Sequence, residues 1–500
     1  MTQSFDIDPI EKEPAKNSES QPEWPIPVGL RPKLSGWDFY NKTLGSPKYV
    51  LAPMVDASEA AWRMLARNHS AELCYSPMWH SGCFINDPKY RKNALQSCPG
   101  DRPLIIQFCG NDPEKFLEAG LLAQDHCDAI DINLGCPQSI ASRGKYGAFL
   151  QDNWKLIENI VSTLHHGLAV PVTCKIRVFP SLEKTIQYAQ MLEKAGAQLL
   201  TVHGRTREQK GENTGLANWD YIKAVVENVK IPVFANGNIQ SVEDVHRCIE
   251  ETGCAGVMTA EGHLYNPAIF DGINPLCWDM ATEYLDIVEK YEPPKGYTRG
   301  HLFKIFHHLI QTNEIDTAER ILLAEANSLE EFRNWVAHVK EKFIKYHTGQ
   351  ELWKSWKELE ENTEPSYDLK LPPWICQPYV RPSAEKRAKL LEARKIEKES
   401  ETEKRKYFDE EGNEISRKKS KKLEKKQKRK AGKVTQEKPT NICTNEKCNN
   451  LMGNKCDKNK LCRACCKEKC GLELLDCPGH KIFIKTNRLH KAKINNITPC

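Results

Sequence analysis

Residues Ala129–Leu150 read AIDINLGCPQSIASRGKYGAFL, and this stretch decides the fold. A β-branched, apolar run ends in Asp131-Ile132-Asn133. A tight turn follows at Gly135-Cys136-Pro137, then a glycine-punctuated loop, Arg143-Gly144-Lys145-Tyr146-Gly147. A thiol held between Gly and Pro at the carboxyl end of a strand sits where (β/α) barrels keep their chemistry.

Working outward, short β-rich runs recur at Tyr49–Ala52, Leu73–Ser76, Leu104–Phe108, Pro171–Ile176, Leu199–Val202, Pro232–Asn236 and Gly256–Thr259. With Ala129–Asn133 these make eight. Between them, Pro113–His126, Asn153–His165, Leu182–Ala195, Trp219–Asn228 and Ser241–Glu251 carry apolar residues at helical spacing, with cap-like starts at Asp112-Pro113 and Ser241. Crossovers long enough for a right-handed helix predict an α/β protein, a TIM (β/α)8 barrel over 45–275. Residues 1–35 are polar and Pro-rich, and are expected to be disordered. Over 276–375 the strand pattern stops. His301–Gln311 and Ser328–Tyr346 have helical periodicity, and Leu302, Phe303, Phe306, Leu309 and Ile310 form one apolar stripe. Arg299, Lys304, His307 and His308 are expected on the opposite side, as a cationic face that grips RNA phosphates or is simply solvated.

The charge is lopsided. Of the net +5, residues 381–500 supply 34 Lys and Arg against 17 Asp and Glu, or +17, leaving −12 for the rest. A basic appendage on a mildly acidic body suits a polyanion, with a merely solvated tail as the alternative. Residues 381–440 form a charged linker ending in Arg417–Lys430, RKKSKKLEKKQKRK, which fits a nuclear-localisation signal, an RNA-binding helix or solubilising charge. No apolar run of membrane-spanning length occurs, and the N-terminus has no apolar core of a secretory signal, so a cytoplasmic or nuclear location is expected.

Of the 20 cysteines, eleven are scattered over 74–376 and eight crowd into 443–477. Cys443, Cys448, Cys456, Cys462, Cys465, Cys466, Cys470, Cys477 and His480 are candidate ligands of a small zinc module over 441–482. Nine suffice for two tetrahedral zinc ions with one to spare, although spacing does not reveal the pairing. A redox-labile tail and an iron–sulfur cluster are the alternatives.

Strand ends place Pro53-Met54-Val55, Gln107, Cys136, Lys175, His203, Asn236-Gly237-Asn238 and Ala260-Glu261 on one face of the barrel. The small residues of the last two loops let backbone N–H groups approach a phosphate.

Seven segments in order resemble the tRNA-dihydrouridine synthase family. They are Leu51-Ala52-Pro53-Met54-Val55, Gln107-Phe108-Cys109-Gly110, Asn133-Leu134-Gly135-Cys136-Pro137, Cys174-Lys175-Ile176-Arg177, Val202-His203-Gly204-Arg205-Thr206-Arg207, Ala235-Asn236-Gly237-Asn238 and Asn266-Pro267. They span about half the chain, and the wording looks most like the eukaryotic branch acting on D-loop positions 16 and 17. The resemblance implies FMN in the barrel, bound by Pro53, Met54, Val55, Gln107, Lys175, His203, Asn236, Gly237, Asn238, Ala260 and Glu261, with NADPH or NADH as reductant. It implies that Cys136 is the proton donor to uracil C5 and works as a neutral thiol, and that a helical tRNA-binding domain follows the barrel. Asn133 is expected at the uracil edge, and Arg177, Arg205 and Arg207 near tRNA phosphates, with Arg143 and Lys145 in the same role. Many relatives have Gly-Arg where this chain has Ala260-Glu261, which leaves more of the phosphate to backbone amides. The expected partner is tRNA, with no membrane and no obligate protein partner, and a monomeric chain. A small-molecule flavin oxidoreductase of dihydropyrimidine or dihydroorotate type, or a catalytically silent RNA-binding scaffold, are the competing readings.

Overall fold

The computed structural model describes residues 33–211, 214–311, 315–353 and 371–379, two short strands at Tyr407–Phe408 and Glu414–Ile415, and most of 443–482. Of the expected disordered segment 1–35, residues 1–32 lie outside the described residues, as does the basic run 417–430. The end of the segment 1–35 is held in place, with Lys33 Nζ donating to the Leu168 carbonyl (2.7 Å). The chain divides into two units, Met1–Arg387 and Ala388–Cys500.

In the first unit, eight parallel strands close into a barrel in chain order: β1 Tyr49–Leu51, β2 Leu73–His80, β3 Leu104–Cys109, β4 Ala129–Leu134, β5 Val172–Arg177, β6 Leu200–His203, β7 Val233–Asn236 and β8 Gly256–Thr259. Seven match their sequence expectation to within two residues. β2 runs four residues further, past Pro77, because a register shift between Tyr75 and Met78 lets the strand absorb the proline and resume pairing with β3. The helices begin where side chains can cap them. Asp112 accepts from the N–H groups of Glu114 and Lys115 ahead of Pro113, and Ser181 and Ser241 accept from Lys184 and Asp244.

Alternation along each strand sorts side chains into two cores. Leu51, Cys74, Leu104, Ile106, Ile130, Ile132, Cys174, Ile176 and Val202 face the helices. Val50, Leu73, Tyr75, Ile105, Ala129, Leu199, Phe234 and Met258 fill the barrel. Its lower end is closed by a segment that the sequence reading left unassigned. Gly36–Asp38 and Phe39–Thr43 form a short helical turn whose Phe39 and Tyr40, with Leu44, pack among the interior residues. Tyr40 Oη donates to the Ala255 carbonyl (2.8 Å). With the bottom plugged, continuing the same two-residue period upward brings polar side chains to the top.

After the barrel come helices Cys277–Tyr291, Lys295–Ile305, His307–Ile310, Thr317–Glu325 and Leu329–His347. The expected helix over 301–311 is therefore broken at Phe306, although Leu302, Phe306, Leu309 and Ile310 are all buried as the stripe requires. The expected cationic face is not one. His308 is buried, with Nε2 against the Gln377 carbonyl (2.9 Å), and burial pushes His307 down to about 4, so both are neutral near pH 7. Arg299 donates to the Ala326 carbonyl and Lys304 to Tyr265 Oη. These helices join the barrel through a buried polar knot. Glu59 accepts from Tyr284 Oη (2.9 Å) and pairs with His301 (3.0 Å), whose ring stacks on Trp62 at 3.8 Å. Among the described residues no helix is long and apolar enough to cross a membrane.

Candidate active site

The inward positions at the carboxyl ends of the strands carry Met54, Gln107, Asn133, Lys175, His203, Asn236 and Ala260, two to four residues beyond the apolar interior where their strand contributes to it. All seven belong to the set expected from the sequence. Period-two alternation on eight parallel strands brings them to one mouth.

Lys175 stands at the centre of the charge. Its Nζ donates to Asn236 Oδ1 (2.9 Å), and Asn236 Nδ2 in turn donates to the Met258 carbonyl (2.8 Å). Burial, reinforced by Arg177, pulls the ammonium down to about 8, against the opposing pull of Asp131 and Cys136. Among the described residues no carboxylate is hydrogen-bonded to it. Burial and the three cations Lys175, Arg177 and Arg205 hold His203 well below its ordinary value. Its Nε2 faces Arg205 Nη1 at 3.0 Å, so a neutral imidazole accepts from the guanidinium there.

Cys136 lies half-buried on the turn after β4, within electrostatic reach of Lys175 and Arg177. Its N–H donates to Asn133 Oδ1 (2.9 Å) and its carbonyl accepts from the Ala148 N–H (3.0 Å). Gly147, at φ +64°, packs directly on this peptide. A Cβ there would fall 2.7 Å from the Cys136 carbonyl oxygen. Cys136 also packs against a small cluster of Cys109, Ala141 and Tyr146, in which burial pushes the Tyr146 phenol up to about 12.

Several expected contact residues are already engaged by the protein. Asn133 uses its oxygen on the Gly135 and Cys136 N–H groups and one amide hydrogen on Gln107, leaving one hydrogen for anything else. Arg177 donates to the carbonyls of Gly135, Thr206 and Gln209, and so ties the Cys136 turn to the loop after β6. Arg205 holds His203, Asn238 and the Gly215 carbonyl. Arg207 pairs with Asp152 and Glu208. Arg143 and Lys145, on the Cys136 loop, are exposed.

The loops after β7 and β8 have the expected small residues. Gly237 (φ +113°) and Asn238 (φ +63°) turn the backbone over the mouth, and a Cβ on Gly237 would meet Ala217 Cβ at 2.6 Å and the His203 ring at 3.1 Å. Asn238 clasps this loop by exchanging hydrogen bonds with the Ala217 N–H (2.9 Å) and carbonyl (2.7 Å). Ala260 is partly buried, and Glu261 is exposed at the start of the short helix Glu261–Tyr265. On the opposite loop, Pro53 and Met54 are partly buried and Val55 is exposed.

The profile of the dihydrouridine synthase (Dus) family matches residues 50–358, which takes in the whole barrel and the helices after it. The chain belongs to this family. A Rattus norvegicus tRNA-dihydrouridine(16/17) synthase-like protein is 49% identical over 460 residues, covering 91% of this chain and all of its own length. A Schizosaccharomyces pombe tRNA-dihydrouridine(16/17) synthase is 46% identical over 70% of this chain and 92% of its own. A Homo sapiens tRNA-dihydrouridine(20a/20b) synthase-like protein is 35% identical over 53% of this chain and 84% of its own.

In the second unit, the cysteines gather into two groups whose ligand atoms lie within 4.8 Å of one another: Cys443, Cys448, Cys462 and Cys465, and Cys456, Cys466, Cys477 and His480. The cluster can coordinate a metal. Cys470 is the ninth candidate, buried with its sulfur 3.8 Å from that of Cys466. The two sets interleave along the chain, and for that reason spacing alone does not separate them.

Two residues beside the mouth, Asp131 and Tyr146, are not among the candidates that the sequence singles out. The sequence does carry a signal for Asp131, since it is the one acid in a buried strand whose only other polar residue is Asn133.

Proposed function

We propose that this chain reduces the C5–C6 double bond of uridine at D-loop positions 16 and 17 of tRNA, using FMN and NADPH or NADH. Family membership and the names of the 49% and 46% identical relatives support the reaction and the positions. The observation that carries the site assignment is a half-buried thiol and a partly buried ammonium, bonded by no carboxylate among the described residues, brought to one barrel mouth.

The residues present fit FMN. Lys175 has two N–H donors left after Asn236 and is flanked by Arg177 and Arg205, an arrangement that favours an anion. Lys175, His203 and Asn236 would line the isoalloxazine side. Gln107 would face its edge with the one amide hydrogen it has left. Pro53, Met54 and Val55 would wall the other flank. The backbone of Gly237, Asn238, Ala260 and Glu261 would hold the phosphate. When bound, FMN supplies the hydride that C6 of the uracil accepts.

The charge left on the conjugated C4 carbonyl system needs a proton at C5, and the Cys136 thiol delivers it as general acid from the opposite face. Asn133 holds the turn that carries this thiol, and its remaining amide hydrogen suits a uracil carbonyl. The target base must leave its stack to enter the mouth. Exposed Arg143 and Lys145 are better placed than the engaged Arg177, Arg205 and Arg207 to meet phosphates. The helices after the barrel supply a second wall for the tRNA.

The cysteine tetrads are read as two zinc sites. Sulfurs separated by 3.7 Å (Cys448–Cys462, Cys456–Cys466) and 3.9 Å (Cys456–Cys477) match the edge of a tetrahedron with Zn–S bonds of about 2.3 Å, roughly 3.8 Å. Metal binding would supply folding energy that so small a unit lacks. The test of the main reading is genetic. Cells lacking the gene should lose dihydrouridine at positions 16 and 17 and regain it with the wild-type chain but not with Cys136→Ala. Unchanged dihydrouridine in the deletion strain refutes the reading.

A further inference from the structure

Beneath the mouth, four side chains form one hydrogen-bonded line. Thr173 Oγ1 donates to Asp131 Oδ1 (2.6 Å), and Gln107 Nε2 donates to Asp131 Oδ2 (2.7 Å). Asn133 Nδ2 donates to Gln107 Oε1 (2.8 Å), and Asn133 Oδ1 accepts from the Cys136 and Gly135 N–H groups (2.9 and 3.3 Å). Asp131, Gln107 and Thr173 are wholly buried, and strand pairing sets them side by side across β3, β4 and β5.

We propose that Asp131 is a positioning residue, which fixes the orientation of the Gln107 and Asn133 amides and so holds the turn that aims the Cys136 thiol. Polarity sets the order of the line. A carboxylate only accepts, so Gln107 must turn its nitrogen to it and its oxygen to Asn133. Asn133 must then turn its nitrogen to Gln107 and its oxygen to the turn. The turn offers only N–H donors at that point, so both ends demand the same order. If Gln107 reverses, two nitrogens oppose each other at Asn133. If Asn133 reverses as well, the Cys136 N–H loses its acceptor. An acid in a dry strand is costly, and burial indeed lifts its carboxyl to about 6. An apolar side chain would pack there without that cost, but it would leave Gln107 free to turn. The proposal rests on the reading of Cys136 as the acid.

The test uses the full chain loaded with FMN. Asp131→Leu should speed hydrogen exchange at the Gly135 and Cys136 amides at least tenfold. It should slow reoxidation by tRNA at least tenfold, and slow reduction by NADPH, through the loosened Gln107, by a clearly smaller factor. Asp131→Asn should restore most of both losses, because its amide oxygen can still face Gln107. Unchanged amide protection in the leucine variant overturns the proposal. So does an asparagine variant as impaired as leucine, or an equal slowing of both half-reactions, since each would mean that Asp131 acts through charge or through the flavin. If the leucine variant does not fold, Gln107→Met interrupts the line one link further along, and unchanged exchange at Gly135 and Cys136 then refutes it. A tRNA step that survives Cys136→Ala overturns the functional reading instead, and amide exchange still decides the role of Asp131.

Discussion

Replacing Gly147 by alanine isolates the placement of the Cys136 thiol from its chemistry. Gly147 sits at φ +64°, and its Cβ would meet the Cys136 carbonyl oxygen at 2.7 Å and Cβ at 3.1 Å. The left-handed backbone costs an alanine about 1 kcal/mol. Relieving the contact requires one of the two loops to move by roughly 0.5 Å or more. The Ala148 N–H that holds the Cys136 carbonyl at 3.0 Å is on the same loop, so the thiol shifts with it. A misplacement near 1 Å at a reacting centre costs on the order of 100-fold, so about tenfold is expected here. Stopped-flow absorbance of the flavin separates the two half-reactions. Reduction by NADPH should be unchanged within twofold, and reoxidation by tRNA about tenfold slower, with a stability loss of about 1–3 kcal/mol by thermal unfolding. A Gly147→Ala enzyme that reoxidises at the wild-type rate would refute the claim that this contact positions the thiol.

Lys175, lowered from 10.5 to about 8, binds fewer protons folded than unfolded across that window. The apoprotein should therefore gain up to about 3 kcal/mol as pH rises through it, a gain lost in Lys175→Met and read from melting temperatures against pH. Asp131, raised from 3.8 to about 6, has the opposite sign. Wild-type stability should fall by up to about 3 kcal/mol relative to Asp131→Asn as pH climbs from 3.8 to 6, checked by urea titration at each pH. For the cysteine module, elemental analysis of the full chain should give two zinc ions, one after Cys448→Ser or Cys456→Ser, and still two after Cys470→Ser. Loss of a zinc ion in the last variant would place Cys470 among the ligands. Truncating the barrel plug by Phe39→Ala should cost about 3–5 kcal/mol in thermal or urea unfolding, because the ring is wholly buried at the base of the interior.

What the chain encodes locally was legible. The alternation of short apolar runs with capped amphipathic stretches is set by neighbours a few residues apart, and so eight strands and their helices could be placed. Their places at the ends of strands put Gln107, Lys175, His203 and Asn236 at the carboxyl face of the barrel. The reach of β2 past Pro77, the plug made by Phe39, Tyr40 and Leu44, and the break at Phe306 depend on partners far along the chain, and nothing local signals them. The same holds for side-chain commitment. Arg177, Arg205 and Asn133 look like free ligands in a sequence, yet the closed barrel brings carbonyls and amides within reach and engages them. The two tetrads able to hold a metal are the plainest case. Their ligands interleave along the chain, so composition announces a metal and only the folded path of the backbone decides which four side chains meet. Sequence determined the barrel and the ring of chemistry at its mouth through short-range periodicity, and tertiary structure decided how that ring is wired, because hydrogen bonds form between groups that are near in space whatever their distance along the chain.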